Sequence, residues 1–153
     1  AELDYCHYLQ QLIDTLPDGH QAAPALLRPL AQAAKQLQQL TADIVLCHLD
    51  LHAGNLLFAD NRLWLLDFEY SQRADSSLDL AALCMHFNLN QTQQNQLLQQ
   101  YAQLRQRNEL LAQLQLKITD AKTVYAAFCW LWYLAQPGCQ AQAAVWQQRL
   151  AQL

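Results

Sequence analysis

Apolar residues in the first forty positions recur every three or four residues. Tyr5, Tyr8, Leu9, Leu12, Ile13 and Leu16 fall on one side of a helix predicted over 5–16, and Pro17-Asp18-Gly19 stops it. A second helix is predicted over 25–40, with Leu26, Leu30, Ala33, Ala34, Leu37 and Leu40 on its apolar side. Pro29 lies near its start, where a missing N–H is tolerated or gives a kink. The period then changes. Ile44, Val45, Leu46 and Cys47 form a short β-type run, and segments 56–58 and 63–66 flank the turn Ala59-Asp60-Asn61-Arg62 as a small hairpin.

After Asp67 the helical spacing returns and persists. Ser76 or Ser77 can cap a helix over 77–87 with Leu78, Ala81, Ala82 and Met85 facing in, and Asn90 or Thr92 can cap the next, to about residue 105. Leu97, Leu98 and Tyr101 keep helical spacing through a Gln-rich stretch, which therefore reads as a polar helix face rather than a disordered tract. A long helix is predicted over 108–132, broken near Thr119-Asp120, and a last one over 140–153 after Pro137-Gly138. The fold class is α+β, mostly α, with one small β element.

That β element carries the chemistry. The loop His48-Leu49-Asp50-Leu51-His52-Ala53-Gly54-Asn55 leaves the first strand, and the apolar run at 63–66 ends in Asp67-Phe68-Glu69-Tyr70. A carboxylate at Asp50 can accept a hydroxyl proton, contributing ~10²–10⁴-fold as a general base. Asn55 and Asp67 offer hard oxygen donors of the kind Mg²⁺ takes alongside phosphates and water. Phosphoryl transfer needs little else from a protein than positioning and neutralised charge. His48, between Cys47 and Leu49, is expected to be buried and to tie the loop backbone together. A rival reading takes His48, Asp50 and His52, alternate residues of an extended segment, as a hydrolase metal cluster. It lacks further ligands, since only His7, His20 and His86 remain, all in predicted helices or turns.

Composition narrows the partners. The 153 residues suit one domain, 53% of them hydrophobic and only 14% charged. With 9 basic against 13 acidic residues and a net charge of −4, there is no footprint for nucleic acid. The longest apolar run, 124–135, is about a dozen residues and too short to span a bilayer. The five cysteines lack metal-ligand spacing and read as buried free thiols in a reducing, cytoplasmic setting. Aromatic residues at Tyr70, Tyr125, Phe128, Trp130, Trp132 and Tyr133 outnumber the acidic groups after Asp67. Ring faces attract a single quaternary ammonium or thiazolium by ~0.5–2 kcal/mol each. Tyr70 is the leading candidate because it adjoins Asp67; the others serve equally well as helix core.

The two motifs, with Leu78-Asp79-Leu80-Ala81-Ala82 after them, resemble the aminoglycoside phosphotransferase and choline kinase superfamily, distant relatives of protein kinases. The form H-x-D-x-H-x-G-N followed by D-F-E-Y is most similar to bacterial thiamine kinases and choline kinase-like proteins. The resemblance implies the C-terminal helical lobe of a protein kinase-like fold, with the hairpin bearing the catalytic and metal loops. It implies ATP as co-substrate, Mg²⁺ on Asn55 and Asp67, and Asp50 as catalytic base. His48 becomes loop-organising, and Asp79 anchors the loop by accepting backbone hydrogen bonds. His52 and Glu69 fall near phosphate or substrate. The implied reaction moves the γ-phosphoryl of ATP to a hydroxyl of a small cationic alcohol such as thiamine or choline. Aminoglycosides or other alcohols are alternatives, as is a non-catalytic kinase-like binding module. The family's N-terminal nucleotide lobe has no counterpart upstream of His48, where Lys35 lies on a helix, so residues 1–153 are expected to be the C-terminal lobe alone. The lobe alone is expected to turn over slowly, if at all, and the N-terminal lobe is the expected partner in the intact protein. Oligomeric state is not specified by these patterns.

Overall fold

The computed structural model describes residues 2–16, 24–40 and 43–153. In chain order these form α1 (Tyr5–Asp14), α2 (Pro24–Gln39), β1 (Ile44–Cys47), a 3₁₀ turn (Ala53–Asn55), β2 (Leu56–Ala59), β3 (Arg62–Leu65), β4 (Gln72–Asp75), α3 (Ser77–His86), α4 (Gln91–Leu104), α5 (Glu109–Ala135) and α6 (Gln140–Leu150). The expected stop at Pro17-Asp18-Gly19 lies outside the described residues. The chain divides into two compact units, one of Ala1–Leu3 with Thr41–Ile118, the other of Asp4–Leu40 with Thr119–Leu153.

The first unit contains two antiparallel two-stranded sheets, β1 with β4 and β2 with β3. The β2–β3 hairpin is the expected one, turning through Asp60 and Asn61 at φ 51° and 57°. Both central residues of such a mirror-image turn need positive φ, which Asp and Asn tolerate best after glycine. Strand β4 corrects the sequence reading, which returned to helix straight after Asp67. Gln72-Arg73-Ala74-Asp75 has no alternating apolar pattern. It is a strand because its backbone completes β1, with Ile44 opposite Asp75 and Cys47 opposite Gln72. Leu3 N–H donates to Arg73 O at 2.8 Å, beside a parallel bridge between Glu2 and Arg73.

The start of α3 brings a second correction. Ser76 makes no side-chain cap bond; instead Asp75 Oδ1 accepts from Ser77 N–H at 2.9 Å. Helix α4 does begin at Asn90, whose side chain accepts from Gln93 N–H while Gln93 reaches back to the Asn90 amide. Gln94, Leu98 and Ala102 form its buried side, and Leu78, Ala81, Leu110 and Leu114 are buried with them. The hairpin stays bare. Leu57, Phe58, Leu63 and Trp64 are 48–70% exposed, so both of its faces are apolar and uncovered among the described residues.

In the second unit Asp4 caps α1 through His7 N–H, and Gln38 Oε1 accepts from Tyr5 N–H at 3.1 Å. Tyr8 meets Phe128 edge to face at 4.7 Å, and Tyr125 meets Trp146 at 5.9 Å. Helix α5 is unbroken, against the expected interruption at Thr119-Asp120. Buried Leu114, Ile118, Ala121, Val124 and Tyr125 carry its apolar stripe straight through. Thr123 Oγ1 donates to Thr119 O at 3.1 Å, so this hydroxyl bonds back onto its own helix. Among the described residues no helix is long and apolar enough to cross a membrane. None of the five cysteines is in a disulfide. Cys47 and Cys84 are buried as expected, whereas Cys6 is exposed.

Candidate active site

The loop from β1 to the 3₁₀ turn is held from below by a helix. Asp79, in the first turn of α3, accepts His48 N–H on Oδ2 and Leu49 N–H on Oδ1, both at 2.8 Å. Burial pushes its carboxyl above the usual carboxylate range, and the two backbone donors pull the other way. Between those anchored amides Leu49 sits at φ 65°. A left-handed leucine costs ~1–3 kcal/mol and persists only where surrounding bonds fix it.

His48, 3% exposed, stitches the loop to the hairpin. Its Nδ1 accepts from Asp50 N–H at 3.3 Å, which leaves the ring proton on Nε2 to donate to Leu66 O at 2.8 Å. Phe68 packs against the same ring with centroids 4.7 Å apart. With both nitrogens committed to backbone, His48 cannot ligate a cation. Among the described residues no group of three His, Cys, Asp or Glu side chains is arranged to hold a metal, which overturns the His48–Asp50–His52 cluster.

Asp50 and Asn55 are in direct contact. Asn55 Nδ2 donates to Asp50 O at 3.0 Å and to Asp50 Oδ2 at 2.9 Å. Both amide protons are thereby used, and Oδ1 is the atom left for a cation. Asn55 O accepts from Leu66 N–H at 2.9 Å, one register step beyond the Leu56–Leu65 pair. Asp67 therefore follows directly on the residue bonded to Asn55. It is exposed and left-handed, φ 59°, the second strained non-glycine residue of the site. One carboxylate and one amide oxygen are too few for a site made wholly of protein groups. They suit Mg²⁺, which keeps several waters and takes its other oxygens from phosphate.

His52 lies beside Asp50, Nε2 to Oδ2 3.5 Å. Its Nδ1 accepts from Gly54 N–H at 3.0 Å, so Nε2 carries the proton and points its positive end at the carboxylate. A Cβ on Gly54 would meet the His52 ring at 2.7 Å, which is why glycine stands there. The ring of His86, from the last turn of α3, lies 5.6 Å from the His52 ring, tilted by 46°. Glu69 and Tyr70 are exposed in the turn closed by Ser71 N–H on Phe68 O at 3.0 Å. Of the aromatic candidates, Tyr125, Phe128 and Trp130 are core residues of the second unit, 2–9% exposed.

Sequence reasoning passed over Asp43, Asp75 and Lys117, which form a buried charged network at the far end of β1 and β4. Lys117 had a visible signal: it interrupts the stripe Leu110, Leu114, Ile118, Ala121 at a position that helical spacing turns inward. Cys47 lies near the same carboxylates. Burial first, and then Asp79 and Asp75, push its thiol far above the usual range.

Over 76 residues, half of the chain, the sequence is 36% identical to a thiamine kinase of Shigella boydii, of which that stretch covers 27%. The crystal structure of choline kinase LicA from Streptococcus pneumoniae superposes over 99% of this chain and 55% of its own, at TM-score 0.81 and 21% identity. A structure of LicA in complex with AMP matches over the same shares at TM-score 0.76 and 21% identity. The chain thus spans about a quarter of that curated relative and about half of those solved structures. The model of the phosphotransferase enzyme family matches residues 5–116, which takes in the whole polar loop, the hairpin and α3, and the chain belongs to that family.

Proposed function

We propose that this chain is the acceptor- and metal-binding part of a small-molecule kinase that moves the γ-phosphoryl of ATP to a hydroxyl of a small cationic alcohol. The observation that carries the reading is the contact between Asp50 and Asn55, with Asp67 one residue beyond the backbone bond that joins Asn55 to the hairpin. In this reading the substrate hydroxyl hydrogen-bonds to the Asp50 carboxylate. As its oxygen forms a bond to Pγ, the bond from Pγ to the β,γ-bridging oxygen breaks and ADP leaves. Asp50 takes the hydroxyl proton. Asn55 Oδ1 and Asp67 would hold Mg²⁺, which supplies neutralising charge to the phosphates when bound. Asn55 also fixes one carboxylate oxygen of Asp50, and His52 Nε2–H faces that same oxygen, so the other oxygen is the one free to meet the hydroxyl.

For the acceptor, the thiamine and choline kinases among the relatives agree with a singly charged cation held by Tyr70 and Glu69. The exposed hairpin supports a second element of the proposal. An apolar surface this bare fits coverage by an N-terminal nucleotide lobe in a longer protein. The test is an ATP-consumption screen of the full-length protein against thiamine, choline, ethanolamine and an aminoglycoside. Phosphorylation of thiamine or choline that vanishes in Asp50→Ala is the expected result. Turnover that survives Asp50→Ala removes Asp50 from the base role, and turnover restricted to aminoglycosides rejects the acceptor class.

A further inference from the structure

We propose that the buried pair Lys117 and Asp75 is a positioning device for phosphoryl transfer: it sets the height and tilt of α3, and thereby the seat of the Asp50 loop, without touching any reactant. The inference rests on the functional reading above. Lys117, 1% exposed on α5, donates from Nζ to Asp75 Oδ2 at 2.5 Å. The same oxygen accepts Asp43 N–H at 2.8 Å, and the other oxygen accepts Ser77 N–H at 2.9 Å. One carboxylate thus fixes the entry of β1, the exit of β4 and the first amide of α3. Two residues further on, α3 presents Asp79 to the His48 and Leu49 amides. Asp43 braces the outer end, accepting from Arg105 at 3.1 Å and Arg107 at 2.7 Å.

A buried ion pair is a poor way to gain stability, because an apolar pair of the same volume usually serves as well or better. Its use here is directional. Asp75 accepts from Asp43, Ser77 and Lys117 on its two oxygens, which only a carboxylate can do. The seat it controls contains a strained residue, Leu49, which relaxes once its bond to Asp79 loosens. A displacement of ~1 Å at a reacting group can cost about 10²-fold in rate.

The test compares Lys117→Met with the double variant Lys117→Met/Asp75→Asn in the full-length protein. The single variant leaves a buried carboxylate without its cation and is destabilised. The double variant removes both charges, so folding recovers, but an amide cannot accept from both Asp43 and Ser77. It is expected to show kcat down by ~10–100-fold at unchanged KM for ATP and for the alcohol. Amide exchange at His48 and Leu49 should be faster, with exchange in α4 unchanged. Recovery of kcat together with folding overturns the proposal, as does unaltered protection of the His48 and Leu49 amides. A wild-type protein that phosphorylates no alcohol rejects the kinase reading instead, and the exchange rates at His48 and Leu49 then decide the positioning claim alone.

Discussion

Asp79 is where the fold and the candidate chemistry meet, and its replacement has a calculable outcome. Asp79→Ala removes the acceptor for two amides at 2.8 Å. Each buried N–H left unpaired costs ~1–3 kcal/mol, and the favourable interaction of a carboxylate with the first turn of α3 contributes a further ~0.3–1 kcal/mol. Against this, the variant no longer buries a charge. That term offsets part of the loss, because burial outweighs the backbone donors and raises the carboxyl's proton affinity. The net expectation is a loss of ~2–4 kcal/mol. Asp79→Asn keeps one oxygen and buries no charge, so it should fall between wild type and Asp79→Ala. The pH dependence has a definite sign. With a folded-state pKa above the unfolded one, the Asp79 contribution is complete below the ordinary carboxylate value and is lost as pH rises through the raised value. Urea unfolding of the three proteins across pH 3–7 checks both points. Asp79→Ala within ~0.5 kcal/mol of wild type, the usual range for a neutral surface change, would refute the anchoring argument. So would a wild-type curve that gains stability, relative to Asp79→Ala, as pH rises through that window.

The other consequences are smaller and local. Gly54→Ala must displace the His52 ring, so it should cost ~0.5–1.5 kcal/mol of stability while lowering kcat of the full-length protein toward that of His52→Ala. Wild-type kcat in Gly54→Ala beside a slow His52→Ala would show that the ring position is irrelevant. Iodoacetamide at pH 8 should label Cys6 and spare Cys47, whose thiol is buried and held protonated by neighbouring carboxylates. Peptide mass spectrometry reads this directly, and equal labelling contradicts it. Asp67→Asn should raise the Mg²⁺ concentration needed for half-maximal turnover severalfold, and an unchanged requirement would release Asp67 from the metal.

What the sequence made legible follows from which interactions are local. The helices and the hairpin depend on periodicity and turn chemistry within a few residues and were readable, as was a cap for α4 at Asn90 or Thr92. Strand β4 was not, because Gln72, Arg73 and Asp75 carry no strand pattern and are extended only through pairing with β1. The break expected in α5 failed for the opposite reason: long-range burial of Ile118 and Val124 overrode the weak local preference of Thr119 and Asp120. The polar loop stood out by residue type, yet its supports did not. Asp75 looked like one acidic residue among several, and the inward spacing of Lys117 named no partner. Their pairing spans 42 residues and depends on a partner that no local window contains.

The central claim is that Asp50, Asn55 and Asp67 share one metal-nucleotide site. Manganese-induced relaxation measures this most directly, in full-length protein saturated with ATP. The account predicts that the Asn55 side-chain amide and the Asp67 backbone amide broaden strongly. At limiting manganese, Asp67→Asn weakens the effect. Broadening that leaves Asn55 and Asp67 untouched, or that persists unchanged in Asp67→Asn, contradicts it.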